Sequence, residues 1–279
     1  MAFAAGVSYT WSTFKRISPV IIPGLTSITF RNLSCAEIAG LARAAGLKSI
    51  EWGGDVHVLH GEVAKAVEAA RITSGAGLEV SSYGSYYRCG MDEPKLDFGK
   101  VLETAVALKA PIIRVWAGKI GSRECLPAQR RAIVEDLRRI CALAADAEVK
   151  IGLEFHRNTL NDGPAETLKL MEEAASPNLG TYWQPPVGMA GREALDGLRK
   201  VLPFLLHIHV FHWAGSPPER LRLEQGQAEW REYFNVARQV PGDRHALIEF
   251  VKDNAVESFQ SDARVLKKLA GNLQVGGMN

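Results

Sequence analysis

Cysteine is scarce in this sequence, and what there is does not pair. Cys35, Cys89, Cys125 and Cys141 are scattered through 279 residues with no CxxC spacing. That argues against a disulfide framework and suits free thiols in a reducing, cytoplasmic compartment. Long hydrophobic runs are also lacking. No apolar stretch approaches the ~20 residues that a membrane-spanning helix needs. Residues 1–22 mix Ser, Thr, Lys, Arg and Pro with the apolar residues, which disfavours a signal peptide. Charge of one sign is missing too: 33 Lys and Arg stand against 31 Asp and Glu, and no long basic run occurs. Nothing in the charge therefore points to nucleic acid as a partner. No GxGxxG follows the first predicted strand, which weakens a dinucleotide-binding reading.

What is present is a repeating alternation of strand-like and helix-like runs. Eight strands are predicted, over residues 26–31, 48–52, 78–83, 111–116, 149–155, 180–184, 205–211 and 245–251. Amphipathic helical segments follow them at 35–46, 61–74, 95–109, 127–146, 164–176, 191–201, 228–238 and 258–270. Alternation without adjacent hairpins implies parallel βαβ units, and eight of them imply closure into a single (β/α)8 TIM barrel. The length agrees, since such barrels typically take about 250 residues. Gly46 and Gly77 end helices, and Ser34 with Glu37 makes a capping-box pattern before the first helix. Residues 24–279 are assigned to the barrel and residues 1–23 to an N-terminal extension over one of its ends. Residues 214–227 are the most loop-like stretch.

Buried parallel strands usually read as continuously apolar. Several here do not. Gly152, Glu154 and His156 share one side of the fifth strand, and Ile151, Leu153 and Phe155 share the other. His207, His209 and Phe211 alternate with Leu206, Ile208 and Val210. Glu249, Arg114 and Glu51 are each flanked by apolar neighbours. Side chains alternate faces with period two. Helices cover the outside of a barrel, so the apolar side points out and the polar side points in. Ionisable groups there must be paired, hydrated or metal-bound. At the C-terminal strand ends they mark an active site.

Glu154, His209 and Glu249 offer two oxygen ligands and an imidazole, and Gln184 can add a carbonyl oxygen. That set suits Mn2+, Mg2+ or Zn2+. A cation so held would polarise a carbonyl or hydroxyl and stabilise an enediolate. Glu154 and Glu249 could also exchange a proton beside that carbonyl. A second reading of Glu154 is a plain salt bridge to Arg114 across the barrel. His207 reads as a core histidine, while His212 and His245 read as structural or solvent-facing. Tyr86, Tyr87 and Trp213 fit either loop packing or a platform for a sugar.

The segments IEWGGDVHV (50–58), SSYGSYYRCG (81–90), IIRVWAG (112–118), LEFHRNTLND (153–162), TYWQPP (181–186), HIHVFHW (207–213) and LIEFV (247–251) resemble the xylose isomerase-like barrel superfamily, in its sugar phosphate isomerase/epimerase branch. The resemblance implies metal ligands at Glu154, His209 and Glu249. It also implies an Asp where this chain has Gln184, a corner for which His57 could compensate. It implies that His156, Arg114, Glu51 and Asp55 face the substrate. His156 and Glu154 with Glu249 are the catalytic candidates, and Glu51, Asp55, His57, Arg114 and Trp213 the substrate-binding ones. Apurinic endonucleases share the superfamily, but this chain lacks their additional ligands and a basic surface. The expected activity is metal-dependent isomerisation or epimerisation of a sugar, keto-sugar or polyol. A lyase or dehydratase using the same chemistry is the alternative, and a non-catalytic sugar-binding barrel a third. No phosphate-binding loop is evident, so an unphosphorylated carbohydrate is expected as the small-molecule partner. Related barrels often form dimers, which leaves a homodimer as an open expectation.

Overall fold

In a computed structural model, which describes residues 19–91, 96–186, 189–215 and 217–271, the alternation closes on itself. The chain runs β1 (Ile21–Thr26), α1 (Cys35–Ala44), β2 (Ser49–Gly53), α2 (Val63–Gly75), β3 (Glu79–Arg88), α3 (Phe98–Leu108), β4 (Ile112–Trp116) and α4 (Pro127–Asp146). It continues with β5 (Lys150–Leu153), α5 (Pro164–Ala174), β6 (Leu179–Trp183), α6 (Gly191–Val201), β7 (Leu205–Val210), β8 (His212–Ala214) and β9 (Glu219–Leu221). It ends with α7 (Gln227–Ala237), β10 (Arg244–Ile248) and α8 (Val256–Gly271). Eight parallel strands form one barrel in the order β1-β10-β7-β6-β5-β4-β3-β2. This is a single (β/α)8 TIM barrel. Among the described residues no helix is long and apolar enough to cross a membrane, and the four cysteines are free.

Helix starts follow local chemistry. Ser34 accepts from Glu37 N while the Glu37 carboxylate accepts from Ser34 N, so the expected capping box is present. The outward residues of the strands, such as Ile113, Val115, Ile151 and Leu153, are buried in the core beneath the helices. Trp52 also points outward, and its indole donates to Thr73 on α2.

Two elements differ from expectation. The first strand lies at Ile21–Thr26, and Ser27–Phe30, read as strand, is a 3-10 turn. Pro23 and Gly24 both lie inside this strand. Gly24 is required there, because a Cβ would lie 2.4 Å from Ser49 Oγ and 2.6 Å from a Leu247 methyl. β1 sits between β2 and β10 at that close approach. β1 thus starts at Ile21, and residues 1–18 of the expected extension lie outside the described residues. The second difference is in the loop-like stretch after β7, where β8 and β9 pair antiparallel as a short hairpin. Strands of three residues joined through Pro217 and Pro218 carry too little periodicity to be read.

Candidate metal and active site

The C-terminal ends of β5, β6, β7 and β10 bring four side chains to one point. Glu154 and Gln184 lie just past β5 and β6, His209 is in β7, and Glu249 follows β10. Glu154, His209 and Glu249 are buried and offer ligand atoms all within 4.8 Å of one another. The convergence is on a single atom. His209 Nδ1 lies 3.4 Å from Glu154 Oε1, 3.5 Å from Glu249 Oε2 and 3.0 Å from Gln184 Oε1. The Gln184 amide is oriented for this, because its Nε2 donates to the Phe155 carbonyl at 2.7 Å. Its oxygen must therefore face the cluster. Three oxygens and an imidazole nitrogen in a water-poor cage are a donor set that fits a divalent cation.

A second layer of charge holds this cage in place. The opposite ring nitrogen, His209 Nε2, lies 3.4 Å from Glu51 Oε1. Ser82 donates to the other Glu51 oxygen at 2.8 Å. Arg114, fully buried, donates through Nε to Glu51 at 3.0 Å and pairs through Nη1 with Glu154 Oε2. Burial works to raise the Glu51 pKa, yet Arg114 and His209 outweigh it and hold the carboxyl well below the usual carboxylate range. Desolvation likewise opposes the Arg114 charge, and Glu51 and its neighbours more than restore it. Glu154 thus pairs with Arg114 through one oxygen, while the other faces His209 Nδ1. Tyr182, inward on β6, stands edge-on to His209 with ring centroids 5.2 Å apart.

The mouth of the barrel is aromatic. Trp116 donates its indole N–H to Glu154 Oε2 at 2.5 Å and stacks on His156 at 4.5 Å. Burial, reinforced by Arg114, Arg88 and Arg157, lowers the His156 pKa. The imidazole is therefore neutral at pH 7. Its Nδ1 faces the Arg157 carbonyl at 2.6 Å. That partner assigns the proton to Nδ1 and leaves a lone pair on Nε2. Tyr86 covers Arg114, with the guanidinium carbon 5.1 Å from its ring centre. It stands in a register break of β3, where Gly84 pairs with Arg114 but Tyr87 with Val115. Its φ of 57° is one that a side chain adopts at a cost.

Not every expected residue reaches the cage. The ring of His57 is buried against Trp52, 5.9 Å away, on the helix-facing side of β2. A turn closed by His57 N and the Gly53 carbonyl carries it there, so it does not compensate for Gln184. Asp55 lies on the rim, paired with Arg31. Trp213 stands in β8, tilted against Phe211 at 4.7 Å and facing Phe250 at 6.3 Å. His207 and His245 form a core pair beneath the site, 4.8 Å apart, as read for His207. Tyr87 donates to Asp136 away from the cage, so of the two tyrosines only Tyr86 faces it. Sequence reasoning missed Trp116 and Tyr182. Both share strand parity with residues already placed inside, Trp116 with Arg114 and Tyr182 with Gln184, so the period-two rule had the signal.

A family model described as a xylose isomerase-like TIM barrel matches residues 39–269. The chain belongs to that family. A 3-dehydroshikimate dehydratase of Bacillus anthracis is 25% identical over 276 residues, covering 87% of this chain and 95% of that protein. The crystal structure of a probable 3-DHS dehydratase from Bacillus anthracis, involved in petrobactin synthesis, aligns with a TM-score of 0.74 at 22% identity over 88% of this chain and 99% of that one. A D-psicose 3-epimerase from Clostridium cellulolyticum, solved with D-tagatose, aligns with a TM-score of 0.62 at 12% identity over 90% and 96%. These structures share the fold.

Proposed function

We propose that this protein is a metal-dependent lyase that dehydrates a small cyclic hydroxy-ketone acid of the 3-dehydroshikimate type. The observation that carries this reading is the unequal state of the two glutamates. Glu154 Oε2 accepts from both the Arg114 guanidinium and the Trp116 indole. Donors of that kind stabilise the carboxylate and weaken it as a base. Among the described residues Glu249 accepts from no such donors, and its one close ionic partner is His209. An epimerase needs proton-transfer groups on opposite faces of one carbon, whereas an elimination needs one base and a path for the leaving hydroxyl. The pinned Glu154 fits the second requirement.

Glu154, Gln184, His209 and Glu249 would hold the cation, which supplies polarisation of the substrate's oxygen when bound. His156 Nε2 takes the proton from the carbon next to the carbonyl. The carbon–oxygen bond of the adjacent hydroxyl then breaks, and the proton returns from His156 to that hydroxyl, which leaves as water. Arg114 and Glu51 keep His209 and Glu154 in place, and Trp116 holds the plane of the His156 ring. The relative's name supports the substrate class: loss of water from 3-dehydroshikimate gives an aromatic dihydroxybenzoate. With Mn2+ and 3-dehydroshikimate, ultraviolet absorbance of an aromatic product is expected to grow. His156→Ala should slow it by about 10²–10⁴-fold with Mn2+ binding retained. No aromatic product from the metal-loaded protein would overturn the reading.

A second reading is epimerisation of a sugar or keto-sugar, favoured by the near-equal spacing of Glu154 and Glu249 from His209 Nδ1, 3.4 and 3.5 Å. Deuterium entering a retained stereocentre in heavy water, with no loss of water from the substrate, would select it.

A further inference from the structure

We infer that Arg220, on the hairpin after β7, is an anion-recognition residue that selects substrates carrying a carboxylate; this rests on the lyase reading for the place of the reacting centre. Beyond His209 and Glu249 the barrel wall continues as three aromatic rings, Phe211, Trp213 and Phe250. Arg220 is laid across the outer end of that wall. Its guanidinium carbon lies 4.6 Å from the Phe250 ring centre and 5.8 Å from that of Trp213. One nitrogen donates to Asn254 Oδ1 at 2.6 Å. The side chain is half-buried, and among the described residues no carboxylate pairs with it. Arg31, by contrast, is neutralised on the rim by Asp55.

An arginine held by two ring faces and one amide oxygen keeps further N–H donors for a ligand. It has little conformational freedom to lose when it binds one. The backbone is shaped to hold this arrangement. Phe250, Asp253 and Asn254 all take positive φ, 53°, 58° and 50°, in the turn that follows Glu249. That turn sets the Phe250 ring and the Asn254 amide where Arg220 meets them. Charge accounts for the need. Glu51, Glu154 and Glu249 outnumber Arg114, and a divalent cation would only balance the excess. An anionic substrate therefore gains no net attraction from the cage and needs a positive group at its distal end. Arg220 fills that place, in a planar fork suited to a carboxylate.

The test uses Mn2+-loaded protein and calorimetric titration with 3,4-dihydroxybenzoate and with its methyl ester, which keeps the ring hydroxyls and lacks the charge. Wild type is expected to bind the acid about tenfold more tightly than the ester. Arg220→Gln should erase that difference while leaving the ester and Mn2+ affinities as they were, and Arg220→Lys should restore part of it. A wild type without preference for the acid, or an Arg220→Gln variant that keeps it, overturns the inference. The lyase reading fails separately, by absence of dehydration. An acid preference that depends on Arg220 in a protein that does not dehydrate 3-dehydroshikimate would sink the reaction and uphold the anion role.

Discussion

Gln184 stands where the resemblance implies an aspartate, and its amide makes the candidate ligand set less negative by one charge. The neutral corner is nonetheless fixed in direction, since Nε2 is tied to the Phe155 carbonyl and only the oxygen is left for the cluster. Gln184→Ala is expected to weaken Mn2+ binding about tenfold in titration without substrate, because one oxygen donor is lost and neither glutamate is. An unchanged affinity would place Gln184 outside the ligand set. At this scale the sequence was informative because side-chain direction in a strand depends only on parity. Glu51, Arg114, Glu154, His209 and Glu249 follow from that rule. Asp55 and His57 sit in a connection, where no such rule reaches, and Trp213 in a three-residue strand too short to carry it. The turn after Gly53 sends His57 to the wrong side of β2.

The strands matter as devices that bend the rule. The register break in β3 leaves Ser85 and Tyr86 outside the backbone pairing with β4, where the Ser85 hydroxyl donates instead to the Arg114 carbonyl, and turns Tyr86 over the mouth. Nothing in SSYGSYYRCG marks where the break falls, so Tyr86 and Tyr87 could not be told apart in sequence. Gly84, just before it, opens the space that Arg114 fills. A Cβ at Gly84 would lie 2.6 Å from Arg114 Nη2 and 3.2 Å from Glu51 Oε1. Gly84→Ala should therefore displace the guanidinium from both glutamates. A loss of about 1–3 kcal/mol in denaturant unfolding is expected, with weakened Mn2+ binding beside it. The same substitution at Gly75, where a Cβ meets nothing within 4 Å, is the control. The helices, in contrast, were legible to within three residues at their ends, because amphipathic periodicity runs for ten residues or more in each.

The molecule as a whole should be acid-sensitive, and its floor explains why. His245 accepts or donates one hydrogen bond with Ser49 and faces His207. Burial, then the neighbouring His207, lowers its pKa from 6.5 to about 3. Between those values the unfolded chain binds a proton that the folded chain refuses, so stability falls as pH falls through that window. The Glu51 shift acts in the same direction at lower pH, since a carboxyl stabilised as the anion loses that contribution on protonation. His245→Gln, which can still bond Ser49, should flatten the pH dependence of unfolding between pH 6.5 and 4, removing on the order of 3 kcal/mol of acid destabilisation. An unaltered pH profile would assign the acid sensitivity elsewhere.

Closure of the barrel pairs its first strand with its last, Ile21 opposite Arg244. That pairing also fixes an order of events. Glu51 and Arg114 emerge in the first half of the chain and can neutralise each other there. All four candidate ligands come from the second half, and Glu249 follows β10 itself. A growing chain on the ribosome thus carries its countercharge before the acids that need it. Its candidate cation site has three donors before β10 and gains the fourth, Glu249, only as the final strand docks.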